Sequence, residues 1–249
     1  LDAGDRIDGG EGTLDQIGLQ GNYGARVTLA ADTIKNVEML VFLPGSDTRF
    51  GAPGTGVSRF DVKTDNGNVA AGQLMTVQGN TLEAGESLTF DGSAETDGSF
   101  LFYAGRSVDV LTGGQQNDGF FFGQGRFGVN DRVDGQGGTM DQIGLQGDFS
   151  GANAITFGAA QITGIEGIVL LSGGDTRFGG GGSRFSYTLT MNDANVAAGG
   201  TMLVQGNALR VGEVLNLNAH AETSSGYLVY GGADGDTIRG GDGLDRLFG

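Results

Sequence analysis

The 249-residue sequence predicts an all-β protein, built as a parallel β-roll or β-helix solenoid in preference to antiparallel β-sandwich units joined by short β-rolls. Three observations predict it. Two nine-residue glycine-aspartate turns stand in tandem at 231–248, apolar stretches of about 4 to 6 residues recur between glycine-rich turns, and the pattern is duplicated along the chain. Glycine supplies 51 residues and proline 2, without a G-X-Y period, so collagen is excluded. Aromatic and β-branched residues are plentiful enough to argue for folded β-structure over disorder.

The tandem turns carry the chemistry. Gly240-Gly241-Asp242-Gly243-Leu244-Asp245-Arg246-Leu247-Phe248 fits G-G-x-G-x-D-x-U-x, where U is a large apolar residue. The preceding Gly231-Gly232-Ala233-Asp234-Gly235-Asp236-Thr237-Ile238-Arg239 fits with Asp234 in place of the third glycine. Each reads as a turn followed by a short strand. The glycines are expected to supply positive φ and a sharp bend that aims carbonyl oxygens at a common point. Asp236 and Asp245 add carboxylates, and oxygen-only ligands suit Ca²⁺ rather than zinc or copper. Gly232, Asp234, Asp236, Gly241, Gly243 and Asp245 are thus candidate metal-site residues.

At these residues the chain resembles the repeats-in-toxin (RTX) calcium-binding family. The resemblance implies a parallel β-roll with two turns per coil, Ca²⁺ held between turns on one edge, type I secretion, and folding outside the cell where Ca²⁺ is abundant. It covers 231–248 specifically and 104–141 more weakly.

The duplication is explicit. Asp5 to Tyr23 returns as Asp131 to Phe149 with 13 of 19 positions identical, and later matches hold the period near 127 residues. The expected organisation is a first copy over 1–127 and a second over 128–249. The offset exposes degenerate turns in copy one: Ala104 to Thr112 with Asp109, and Gly113 to Phe121 with Gly114 and Asp118. Further turns end at Asp131 and at Asp141, the latter with Gly135 and Gly137. Gly10, Gly12 and Asp15 are its counterpart near the N-terminus. With two turns per coil, Asp118 is expected to pair with Asp141 and Asp109 with Asp131, each pair sharing a Ca²⁺. The end turns at Asp5, Asp15, Asp236 and Asp245 then lack partner coils, to be completed by flanking repeats of the same protein or by head-to-tail self-association.

Between the turns, Arg26 to Ala30, Glu38 to Leu43, Leu74 to Val77, Ser87 to Phe90 and Ser99 to Tyr103 read as strands, mirrored in copy two. No helical period is evident. The formal charge of −16, from 30 acidic and 14 basic residues, argues against nucleic acid and anionic membranes and for cation binding. Absence of cysteine excludes disulfides and thiolate metal sites. No run of about 18 apolar residues exists, and no signal peptide is recognisable. The start without methionine and the end inside a repeat pattern suggest a segment of a longer, secreted or cell-surface protein.

Other residue groups read as structural. Asp47-Thr48-Arg49-Phe50 and its twin Asp175 to Phe178 hold an ion pair expected to order a loop over a phenylalanine. Glu38 and Glu166 are expected to face outward or to bond a backbone turn. His220 stands alone, with Ser93 as its counterpart, and carries no catalytic motif. Glu95 and Glu222, in repeated Ala-Glu-Thr, are the best carboxylates for glycoside hydrolysis. The expectation is a calcium-dependent structural module without catalytic residues; the alternative is a carbohydrate-active or glycan-binding, adhesin-like β-helix.

Overall fold

A computed structural model describes residues 1–2, 4–49, 56–178 and 181–249. Phe50 lies outside the described residues. The elements, in chain order, are β1 (Ile7–Asp8), β2 (Gln16–Gln20), β3 (Asn22–Thr28), β4 (Ile34–Lys35), β5 (Met39–Leu43), β6 (Arg59–Lys63), β7 (Leu74–Gln78), β8 (Ser87–Asp91), β9 (Ser99–Tyr103), β10 (Val108–Thr112), β11 (Gly119–Gly123), β12 (Arg132–Asp134), β13 (Gln142–Gln146), β14 (Ile155–Thr156), β15 (Ile162–Thr163), β16 (Gly167–Leu171), β17 (Tyr187–Thr190), β18 (Thr201–Gln205), β19 (Leu215–Asn218), β20 (Gly226–Tyr230), β21 (Thr237–Arg239) and β22 (Arg246–Phe248). Among the described residues helix is confined to single 3₁₀ turns such as Asn66–Asn68 and Asp193–Asn195, the latter inside a capping box between Asn192 and Asn195. The chain forms two units, one of residues 1–120 with 130–139, the other of 121–129 with 140–249.

In the first unit β2, β5, β7 and β9 stack in parallel as one wall, and β3, β6, β8, β10 and β12 as another, while β1 pairs with β4. The second unit repeats the plan with β13, β16, β18, β20 and β22 on one wall and β14, β17, β19 and β21 on the other. Each unit is a parallel β-solenoid, as expected. An antiparallel sandwich is excluded because every described ladder between strands is parallel.

Alternation along each strand explains the coil. In β8, Leu88 and Phe90 point inward while Ser87, Thr89 and Asp91 point out. Register stacks the inward positions into columns: Val62, Phe90, Leu111 and Val133 in one, Phe60, Leu88 and Asp109 in another. Aromatic rings fill the first unit, with Phe42 against Phe60 at 4.9 Å and Phe102 stacked on Phe120 at 4.8 Å between centroids. In the second unit Tyr187 stacks on Phe149, and its hydroxyl donates to the carbonyls of Leu145 and Leu171. The expected strands are found within a residue or two, except that the one placed at Arg26 to Ala30 runs earlier, over Asn22–Thr28. β6 was not foreseen, because Arg59-Phe60-Asp61-Val62-Lys63 offers only two apolar residues between charges.

Candidate functional site

The turn aspartates sit at inward positions, where a carboxylate needs donors to offset its lost hydration. They find backbone N–H groups. Asp118 accepts from Gly114 N within its own turn at 2.6 Å and from Phe100 N, one coil earlier, also at 2.6 Å. Asp236 repeats the pattern with Gly232 N at 2.6 Å and Leu215 N at 2.8 Å, and Asp245 accepts from Tyr227 N at 2.9 Å. Asp109 accepts from Gly105 N and the Ser107 hydroxyl, and its own N–H donates to Asp131 Oδ1 at 2.9 Å. The expected juxtaposition of Asp109 and Asp131 is therefore observed, through a hydrogen bond from backbone to carboxylate. These aspartates work as staples between successive coils.

Glutamates do the same where a coil lengthens. Glu38 Oε2 accepts from Asp15 N at 2.8 Å and Glu166 Oε2 from Asp141 N at 2.9 Å, which places both on a backbone turn as foreseen. Two further anchors escaped sequence reasoning. Glu86 binds Gly45 N, Ser58 N and Glu83 N, and its counterpart Glu213 binds Gly173 N, Phe185 N and Arg210 N. Burial pushes the Glu213 carboxyl up, but its backbone donors outweigh that and hold it at about 2. The only signal in the sequence was the repetition of an acid at the same place in both copies.

The glycines of the tandem repeats act differently from expectation. Gly231, Gly232, Gly235, Gly240, Gly241 and Gly243 do not adopt positive φ. What most of them supply is clearance. A Cβ on Gly231 would strike Asp236 Oδ2, one on Gly240 would strike Asp245 Oδ2, and one on Gly243 would strike the Ser225 carbonyl. Gly235 has open space around it. Left-handed backbone is used at Gly10, φ 83°, and at its counterpart Gln136, φ 64°.

Among the described residues three carboxylates keep a buried oxygen without a hydrogen-bond partner, Asp15, Glu95 and Glu222, and the last two are equivalent in the two copies. Glu95 and Glu222 are 0% exposed, and in each Oε1 accepts several N–H groups of the turn that follows: Thr96, Asp97 and Gly98 for Glu95, Ser224 and Ser225 for Glu222. In each, Oε2 is buried with no hydrogen-bond partner. Glu95 lies against the Gly113 to Asp118 turn: Gln115 N donates to its carbonyl, and Gly114 passes beside its Cβ. Glu222 lies likewise against the Gly240 to Asp245 turn, with Asp242 N on its carbonyl and Gly241 beside its Cβ. Burial raises Asp118 to about 6, and the Glu95 charge adds to that against the pull of its N–H donors. Tyr227, the counterpart of Phe100, adds a second buried orphan, its hydroxyl, near Glu222 and Asp245.

An orphaned buried carboxylate oxygen beside a second carboxylate and a glycine turn fits a hard cation, which would take the place of the missing donor. No group of three or more His, Cys, Asp or Glu side chains is gathered for a metal among the described residues, so a cation at either turn would draw its remaining ligands from backbone carbonyls, hydroxyl or amide oxygens, or water. Glu95 and Glu222, the best carboxylates in the sequence for glycoside hydrolysis, are sealed from solvent, and neither is presented to an extended glycan.

The other candidates are placed as follows. Asp15 keeps an unpartnered Oδ2 beside Gly12, and Asp234 accepts from Gly212 N. Asp141 is buried, Gly137 N donates to the Gly114 carbonyl, and the Gly135 carbonyl borders Gly113. Asp47 and Arg49 form the expected ion pair at 2.7 Å, tied to the sheet by Gln20 Nε2 on the Asp47 carbonyl, and Asp175 with Arg177 repeats it. Phe178 stacks on Phe121 at 4.3 Å. His220 is exposed, with its N–H on Asn218 Oδ1. Among the described residues no helix is long and apolar enough to cross a membrane.

No protein-family model, curated protein or solved structure matches the chain. Fold and turns together define a parallel β-solenoid whose successive coils are stapled by inward carboxylates.

Proposed function

We propose that the chain is a Ca²⁺-stabilised scaffold module of a secreted, extracellular protein, of the RTX type that its tandem nonapeptides resemble. The ion is held at two equivalent turns, by Glu95 with Asp118 and by Glu222 with Asp245. The observation that carries this reading is the buried, unpartnered Oε2 of both glutamates, repeated at the same place in both copies. A cation there would neutralise two adjacent carboxylates and supply the interaction that each orphan oxygen lacks. The role is mechanical: the coil interior is filled with phenylalanine and stapled carboxylates, leaving the protein's own side chains to order the turn and the ion to lock it.

Asp109 and Asp131 take no part in metal binding on this reading, because their carboxylates serve the backbone of neighbouring coils. Isothermal titration of the Ca²⁺-stripped chain should give two ions per chain, and one in Glu95→Gln or Glu222→Gln. Absence of Ca²⁺ binding, or binding unaltered in both variants, would refute it.

A further inference from the structure

The two glutamate turns stand at the same place in the two copies but differ by one charge. In the first unit Asn66 Oδ1 accepts from Thr96 N and from the Thr96 hydroxyl, each at 2.6 Å, and Thr96 N is shared with Glu95 Oε1 at 3.0 Å. In the second unit the counterpart of Asn66 is Asp193, whose Oδ1 accepts from Thr223 N at 2.7 Å and from the Thr223 hydroxyl at 2.8 Å. The bonds are the same, so amide and carboxylate are interchangeable in shape at this position. They are not interchangeable in charge. The Glu222 carboxyl lies within hydrogen-bond reach of Asp193, and two carboxylates so placed repel each other until a cation joins them.

The other exchanges of acids around the turns cancel. Asp97 of copy one stands where copy two has Ser224, and Asp242 of copy two where copy one has Gln115. Asp97 N and Ser224 N each donate to the glutamate Oε1, and Gln115 N and Asp242 N each donate to the glutamate carbonyl. A second difference lies inside the coil. Tyr227 replaces Phe100, and its buried hydroxyl has no hydrogen-bond partner. Burial above all, and then the charges of Glu222, Asp245 and Asp193, disfavour ionisation of that hydroxyl, so all three carboxylates are felt at one buried point. β20, which carries Tyr227, lies between β18 and β22, so strands enclose this point on both sides. A water carried in on an ion would supply the acceptor that the hydroxyl lacks.

We propose that the Glu222 turn is the high-affinity Ca²⁺ site and fills before the Glu95 turn, with Asp193 setting the order. The order rests on the calcium reading of both turns. Asp193 is a positioning residue: it fixes Thr223 and adds negative charge beside Glu222, and it is not gathered with Glu222 and Asp245 as a third direct ligand. Affinity at oxygen sites rises with the charge around the ion, and one further carboxylate near a divalent cation in a partly solvated site is worth about tenfold.

Isothermal titration of the Ca²⁺-stripped full chain with calcium chloride tests the order. The wild type should bind in two steps whose Kd values differ by about tenfold. Glu222→Gln should remove the tight step and Glu95→Gln the weak one. Asp193→Asn should leave two weak steps of equal affinity, and Asn66→Asp should make both tight. Each of these last two substitutions installs the residue that the fold already holds at the equivalent place, and circular dichroism checks that both variants fold; should one not, the other decides. Tb³⁺ in place of Ca²⁺ gives a second readout, since tryptophan is absent and tyrosine is the antenna. Luminescence excited through tyrosine should rise with the first equivalent, and Tyr227→Phe should remove that rise while the calorimetric step remains. Wild-type steps of equal affinity, a tight step that survives Asp193→Asn or disappears in Glu95→Gln, or luminescence that rises only with the second equivalent would overturn the order and leave the calcium reading standing. Absence of any step would overturn both.

Discussion

The backbone N–H of Asp109 donates to Oδ1 of Asp131 at 2.9 Å, and both residues are buried. Asp109 itself stands in register with Leu88 of the coil before, so a column of apolar side chains passes into a column of carboxylates without leaving the interior. The cost of burying the charge is met by N–H groups that a simple parallel ladder would direct elsewhere.

Removing the acceptor should therefore cost more than neutralising it. Asp131→Ala leaves a buried N–H unsatisfied and should lose about 2–3 kcal/mol, whereas Asp131→Asn keeps an oxygen and should lose about 1 kcal/mol. Urea unfolding of the two variants measures the difference. Equal losses would mean that the carboxylate is not a staple.

Within one nonapeptide, the glycines should separate by clearance. Gly231→Ala drives its Cβ into Asp236 Oδ2 and should destabilise by about 1–3 kcal/mol. Gly235→Ala meets nothing within 4 Å and should be neutral or stabilising by up to about 1 kcal/mol. Thermal melts of both variants decide the matter, and a reversed order would contradict the role given to Gly231.

Glu213 gives a pH signature. Its folded carboxyl lies at about 2, below its ordinary value of 4.5, so the native state binds fewer protons and gains stability as pH rises. The contribution is complete above about pH 4.5 and lost as pH falls toward 2. Glu213→Gln should therefore melt well below wild type at pH 7, with the gap closing between pH 4.5 and 2. A gap independent of pH would show that the hydrogen-bond cradle around Glu213 does not favour the charged form.

Much of this was legible in the residues. Alternation in Ser87-Leu88-Thr89-Phe90 and in Ser99-Phe100-Leu101-Phe102 places strands directly, and the nonapeptide phase fixes which aspartates turn inward. What was hidden depends on neighbours distant in sequence. Nothing local distinguishes Glu86 from an exposed turn acid, because its donors at Gly45 and Ser58 arrive from 41 and 28 positions away. The clearance demanded at Gly243 comes from the Ser225 carbonyl of the preceding coil, which glycine's freedom of φ gave no reason to suspect. The unsatisfied Oε2 of Glu95 is visible only once its other oxygen is seen to be spent on three N–H groups.

Thermal melting in EGTA, Ca²⁺ and Mg²⁺, for wild type and for Glu95→Gln/Glu222→Gln, tests the calcium reading most directly. At tenfold excess over a Kd of about 10⁻⁴ to 10⁻³ M, each site adds about 1.4 kcal/mol to the folded state. Ca²⁺ should raise the wild-type Tm by several degrees, Mg²⁺ should do much less, and the double variant should respond to neither. A wild-type Tm identical in all three conditions would contradict the account and leave the turns held by their backbone staples alone.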